Sequence, residues 1–229
     1  MNSSLPPQLL AALRRLDSCT ISNAIETFNV RMRNEGFADG TIRCLFPPLR
    51  PMVGFAATAQ IRCSGPPPDA PAWVDRTDWW DHILSIPAPR VVVLQDLDGV
   101  SGRGALLGEI HANILAAMEC VGAVTNGAVR DLAAVQAMGF PLFARHTVVS
   151  HSFAHIAHIG TSVEVGGLKI NPGDLLHGDL NGLLAIPLDI ATDLPAAAAR
   201  IAEKERKLIG LCRAPDFSPD KMRELVRQK

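Results

Sequence analysis

Residues 90–97, RVVVLQDL, are apolar almost throughout and run into Asp96, Asp98 and Gly99. Such a run predicts a strand buried on both faces, as in the interior of a parallel sheet, and a sheet of that kind needs a covering layer on each side. The stretch Gly108 to Asp131, GEIHANILAAMECVGAVTNGAVRD, continues the pattern. In it Ile110, Ile114, Ala117, Met118 and Val121 recur at helical spacing, which predicts an amphipathic helix opening on Gly108, Glu109 and His111 and stopped by Gly122. A short buried strand is then expected at Ala123 to Thr125, a turn at Asn126-Gly127, and a second helix over Leu132 to Met138 with Asp131 at its start. Two helix N-termini and one fixed cation, Arg130, come from about two dozen residues, an arrangement suited to a small anion.

The remaining chain supports this centre. Residues 7–16 predict a first helix, and Ser18 or Thr20 stands ready to cap a second over Ile21 to Phe28. Residues 29–51, with three prolines, predict a surface loop leading to a strand at Val53 to Cys63. Ala72 to Leu84 carries Trp73, Trp79 and Trp80 and predicts a helix with an aromatic face for the core or a subunit contact. Later strands are expected at Pro141 to Ala144, Val163 to Val165, Leu168 to Ile170, Leu175 to His177 and Gly182 to Ile186, with the period of Val148 to Ile159 left open. Leu188 to Leu208 predicts a closing helix with Pro195 in its first turn, followed by a polar tail. Helices and strands alternate in the middle and short hairpins cluster later, so a layered α/β domain is expected and not a doubly wound sheet. The organisation expected is one domain over 1–229, with a helical extension and loop at 1–51, an α/β core at 52–187 and a C-terminal helix and tail at 188–229.

A net charge of −1 offers no basic field for nucleic acid. No apolar run approaches the roughly 18 to 20 residues that cross a bilayer, so no membrane association is expected. MNSSLPPQLL lacks a basic segment followed by an apolar core, and a cytoplasmic protein is the expectation. Five scattered cysteines without CxxC spacing predict reduced thiols.

Several constellations carry two readings each. Arg130 grips a carboxylate and Asp131 holds a divalent cation, or Asp131 is an ordinary helix cap. Glu109 and His111 relay a proton, or the acidic residue merely complements the helix dipole. His151, His155 and His158 share a face on a helix and would ligate zinc there, whereas on a strand His155 and His158 point apart. Gly102-Arg103-Gly104 imitates the opening of a dinucleotide loop but lacks its third glycine. No lysine lies near the Gly108–Asp131 stretch, which disfavours Schiff-base chemistry.

GE at 108–109, GAVTNGAVRD at 122–131, GFPLFA at 139–144 and INPGDLLHGDLNGLLAIP at 170–187, with TISNAIE at 20–26 and MVGFAATA at 52–59, together resemble the regulator of ribonuclease activity A superfamily. Its enzymatic branch is the class II pyruvate aldolases, which cleave 4-hydroxy-4-methyl-2-oxoglutarate and related acids. The resemblance implies a three-layer β/β/α swivelling-domain-like sandwich with N-terminal helices and a C-terminal helix, assembled as a homotrimer or homohexamer with the site at a subunit boundary. It implies further that Arg130 holds the pyruvyl part of an oxo-acid substrate, that Asp131 anchors Mg²⁺ or Mn²⁺ with water, and that Gly108, Glu109, Ile110 and His111 supply backbone donors and a proton-relay water. The function so implied is a metal-dependent lyase giving pyruvate and a second oxo acid through an enolate, with oxaloacetate decarboxylation as a side activity. The alternative is a non-catalytic regulator that binds a protein such as a ribonuclease. Two departures stand out: Asn126-Gly127 replaces the family's usual DG, and the carboxylate expected from a neighbour's C-terminal helix has only Glu203 or Glu205 as candidates.

Overall fold

The computed structural model describes residues 5–67, 76–99 and 103–227; Trp73 and Gly102 lie outside the described residues. The apolar run at 90–97 becomes β3 (Arg90–Asp96), flanked in parallel by β2 (Met52–Arg62) and β4 (Cys120–Val129), with β5 (Leu142–Thr147) parallel beyond β4. β1 (Arg43–Cys44) closes that edge antiparallel to β5, inside the stretch expected to be loop. On the other side β2 serves two partners: its first half pairs antiparallel with β9 (Leu175–Asp179) and its second half with β6 (His155–Ile159). β10 (Gly182–Ile186) ends the sheet, giving the order β1-β5-β4-β3-β2-β9-β10. Successive parallel strands step in one direction, so the sheet is singly wound. That is why the connecting helices α3 (Arg76–Ser85), α4 (Glu109–Ala117) and α5 (Leu132–Ala137) all lie on one face.

Period-2 alternation along the strands builds two cores from one sheet. Val92 and Leu94 of β3, with Phe55 and Ala57 of β2, face Trp79, Ile83, Leu115 and Val135 on the helical side. Val91 and Val93, with Met52, Val124 and Phe143, face the small antiparallel hairpin of β7 (Val163–Val165) and β8 (Leu168–Ile170). The layers are therefore β/β/α. The N-terminal helices α1 (Pro7–Leu13) and α2 (Ser18–Glu26) and the C-terminal α6 (Leu194–Cys212) add Leu13, Ile21, Leu194 and Ala197 to the helical side. The polar tail contains a further helix, α7 (Pro219–Arg227), with no buried residue.

Four local expectations are corrected. α2 is capped by Asp17, whose side chain accepts the Thr20 N–H at 2.8 Å, in place of Ser18 or Thr20. α4 ends before Gly122, at Ala117, where Glu119 takes a left-handed φ of 57°. Gly122 instead lies inside β4, where a Cβ would stand 2.3 Å from Met52 Sδ and 2.9 Å from the Pro141 carbonyl. Asn126-Gly127 is no hairpin turn but a bulge within β4, with a register shift between Thr125 and Ala128. The Asn126 side chain explains it: Oδ1 accepts the Asp96 N–H at 2.6 Å and Nδ2 donates to the Asp96 carbonyl at 3.2 Å, so a side-chain amide replaces the main-chain ladder.

All five cysteines are free, and burial pushes the Cys63 and Cys120 thiols up to about 12. No helix among the described residues is long and apolar enough to cross a membrane.

Candidate active site

The loops that follow β3, β4 and β5 leave the sheet at the carboxyl ends of the parallel strands, where ligands of α/β sheets are received. They enclose a pocket of about 300 Å³ lined by Gly108, Ile110, His111, Arg130, Asp131 and His151, with Ala105, Leu106 and Ala154 supplying apolar wall. Leu107 forms an isolated parallel bridge with Val129, and the Arg130 N–H donates to the Leu107 carbonyl at 3.0 Å. This bridge sets the start of α4 beside the end of β4. Gly108 then stands against the pair, since a Cβ there would meet Asp131 Oδ2 at 2.5 Å and Arg130 Cγ at 2.9 Å.

Asp131 begins α5 with φ 57° and ψ 38°, yet its side chain makes no cap bond to that helix. It turns to the other helix start, where Oδ2 accepts the Glu109 N–H at 3.1 Å. Arg130 Nε also reaches Oδ2, at 3.3 Å. The Glu109 N–H, then the Arg130 guanidinium, hold the Asp131 carboxyl below the usual carboxylate range, so it is anionic at neutral pH. The two side chains thus pair with each other, and both are among the residues lining the pocket.

The other predicted residues divide. Glu109 joins the site through its backbone, and its carboxylate is not among the groups lining the pocket. The His111 ring packs on buried Trp79, with centroids 6.2 Å apart and planes at 47°. The three histidines do not converge: His151 sits in the turn before β6, His155 is buried with Nδ1 2.7 Å from the Phe153 carbonyl, and His158 lies exposed on the same strand. Among the described residues no group of three or more His, Cys, Asp or Glu side chains forms a metal cluster, which overturns the zinc reading. Glu203 pairs with Lys207 at 3.1 Å and Glu205 lines a groove against α2, so neither reaches the pocket of its own chain. Sequence reasoning missed Ala105, Leu106 and Ala154, whose apolar character carries no signal. It met His151 only as part of the discarded triad.

Fold and pocket define a three-layer α/β protein in which an Arg-Asp pair and a helix N-terminus share a pocket at the carboxyl edge of the sheet. The chain belongs to the RraA-like family, described as Aldolase/RraA, whose model matches residues 18–185. It is 35% identical over 101 residues to a Halalkalibacterium halodurans protein named "Putative 4-hydroxy-4-methyl-2-oxoglutarate aldolase", covering 44% of this chain and 48% of that one. An uncharacterized Methanocaldococcus jannaschii protein is 33% identical over 88 residues, covering 38% and 42%. The matches thus span less than half the length of either relative. Among solved structures, an uncharacterized Pseudomonas syringae pv. tomato protein superposes with a TM-score of 0.73 at 23% identity, over 98% of this chain and 96% of that one. Streptomyces coelicolor RraAS2, titled an unusual member of the RNase ES inhibitor RraA protein family, gives 0.70 at 21% identity over 89% and 96%. These two likenesses concern the fold.

Proposed function

We propose that this protein is a divalent-metal-dependent lyase that cleaves a 4-hydroxy-2-oxo acid into pyruvate and a second oxo acid. The observation that carries the reading is the convergence of Arg130, Asp131 and the α4 N-terminus on one pocket, with Asp131 held anionic by the Glu109 amide. The aldolase named among the relatives supports the same chemistry.

Asp131 fits a hard cation. Its Oδ2 is engaged by Glu109 and Arg130, and among the described residues no hydrogen bond reaches Oδ1. One carboxylate with water in the remaining positions suits Mg²⁺ or Mn²⁺. When bound, such an ion polarises the 2-oxo group and offsets charge on the developing enolate. The Arg130 guanidinium binds the substrate's C1 carboxylate, and the first turn of α4, through Gly108, Ile110 and His111, favours the same negative charge. Water beside the exposed Glu109 carboxylate delivers a proton to the pyruvate methyl carbon. Oxaloacetate decarboxylation passes through the same pyruvate enolate and is expected as a side activity. The proposed assembly is a homotrimer or homohexamer, in which a neighbour's Glu203 or Glu205 completes the site; sedimentation reads the stoichiometry.

The test supplies Mg²⁺ or Mn²⁺ with oxaloacetate and a 4-hydroxy-2-oxo diacid and follows pyruvate. Turnover lost in Arg130→Ala and Asp131→Ala supports the roles; turnover unchanged in both rejects them. A non-catalytic regulator would instead show no metal-dependent pyruvate release and would keep its partner after Asp131→Ala.

A further inference from the structure

Retro-aldol cleavage needs a base at the 4-hydroxyl, and the pocket offers few. Asp131 is engaged by the Glu109 N–H and the Arg130 guanidinium and is assigned to the cation, Arg130 is a fixed cation, and the Glu109 carboxylate lies outside the lining. An imidazole is the ordinary solution.

His151 lines the pocket, and its Nδ1 lies 2.8 Å from the Ser152 carbonyl. A carbonyl only accepts, so Nδ1 carries the ring proton and Nε2 of the neutral ring carries the lone pair. The turn that presents the ring is tied down from several sides. Ser152 takes a left-handed φ of 48°, and its N–H donates to Ser150 Oγ at 2.9 Å. The Ala154 N–H donates to the His151 carbonyl at 3.0 Å, and the Ala105 N–H donates to the Ser150 carbonyl at 3.1 Å. Gly104 lets the pocket wall come this close: a Cβ there would stand 2.7 Å from the His151 carbonyl and 2.8 Å from Ser152 Cβ. The main chain thus sets both the tautomer and the position of the ring, as in bases whose second nitrogen is held by an orienting acceptor.

We propose that His151 is a catalytic base of the cleavage reaction, an assignment that rests on the lyase reading above. Nε2 takes the proton of the 4-hydroxyl. The C4–O bond becomes a carbonyl, the C3–C4 bond breaks, and its electron pair passes into the enolate of pyruvate. C3 then takes a proton from the water beside Glu109, and the imidazolium returns its proton to solvent. One proton leaves and one arrives, with no oxidant or reductant.

Two substrates of the same protein separate this role from a structural one. Oxaloacetate forms the same enolate by losing carbon dioxide from a carboxylate that is already ionised, so it has no hydroxyl proton to remove. In His151→Gln, with Mg²⁺ present and the fold checked by circular dichroism, kcat/KM for a 4-hydroxy-2-oxo diacid is expected to fall about 100-fold or more. Decarboxylation falls much less, so the ratio of cleavage to decarboxylation drops at least tenfold. In His151→Ala, added imidazole restores cleavage selectively. A ratio that moves less than tenfold, because both activities fall together or neither does, overturns the assignment of His151 while leaving the lyase reading intact. Wild-type protein that releases pyruvate from neither substrate overturns both.

Discussion

Asp131 caps a helix it does not belong to. It opens α5, but its Oδ2 accepts the Glu109 N–H at 3.1 Å, so the carboxylate closes the start of α4 across a gap of 22 residues in sequence. The bond does two things at once. It stabilises the positive end of α4, and it fixes the carboxylate at the wall of the pocket, where among the described residues no hydrogen bond reaches the second oxygen.

That arrangement depends on the absence of a side chain at 108. In Gly108→Ala the new methyl would lie 2.5 Å from Asp131 Oδ2, and either the carboxylate or the α4 start must move. Misplacement on the order of an ångström is expected to cost roughly 100-fold in pyruvate release. Gly108 has an extended backbone with φ −152°, which alanine adopts without strain, so the thermal midpoint should change little. A large loss of stability with activity preserved would contradict the account.

Gly122→Ala should show the opposite profile. Its Cβ would press on Met52 Sδ at 2.3 Å and on the Pro141 carbonyl at 2.9 Å, in the core between the sheet and the β7–β8 hairpin. Overpacking of this kind costs about 1–3 kcal/mol. Urea denaturation reads it, and Met52→Ala in the same chain is expected to recover part of the loss because the two sites share one space.

A pH effect on stability is expected from His177. The ring is fully buried beneath the joint of α1 and α2, with Nε2 3.0 Å from the Leu16 carbonyl. Burial lowers its pKa, more than Asp179 and the Leu16 carbonyl raise it. The unfolded chain, with a histidine near about 6.5, therefore binds the proton more readily than the folded one. The contribution of the neutral ring to stability is whole above that value and is lost as pH falls from it through the folded pKa. The thermal midpoint should drop between neutral and mildly acidic pH, and His177→Gln should flatten the slope. An unchanged slope in the variant would assign the effect elsewhere.

Strand periodicity was legible in the sequence, helix periodicity only in part. The apolar run at 90–97 and the Arg130-Asp131 pair after a strand lie where their patterns place them. A helix does open after Gly108, but it buries Ala112 and Leu115, while Ile110 is 74% exposed and Val121 falls in β4. What the sequence hid depends on side chains that imitate backbone. Asn126-Gly127 has the composition of a turn, yet the Asn126 amide pairs with Asp96 as a strand would and keeps β4 running. Glu119, in a left-handed conformation, ends α4 where Gly122 was the obvious stop. His151 was hidden for a different reason: nothing local reveals that the turn after β5 folds back over Gly104 to meet loops from two other strands. Convergence of separate loops is a property of topology, and only the singly wound sheet brings it about.

The most direct test of the central claim uses oxalate, a stable diacid with the shape and charge of the pyruvate enolate. Calorimetric titration should show oxalate binding that requires Mg²⁺ or Mn²⁺, is abolished by EDTA, and disappears in Asp131→Asn and Arg130→Ala while both variants keep the wild-type fold. Oxalate binding that is equal with and without the cation, or that survives Asp131→Asn, would contradict it.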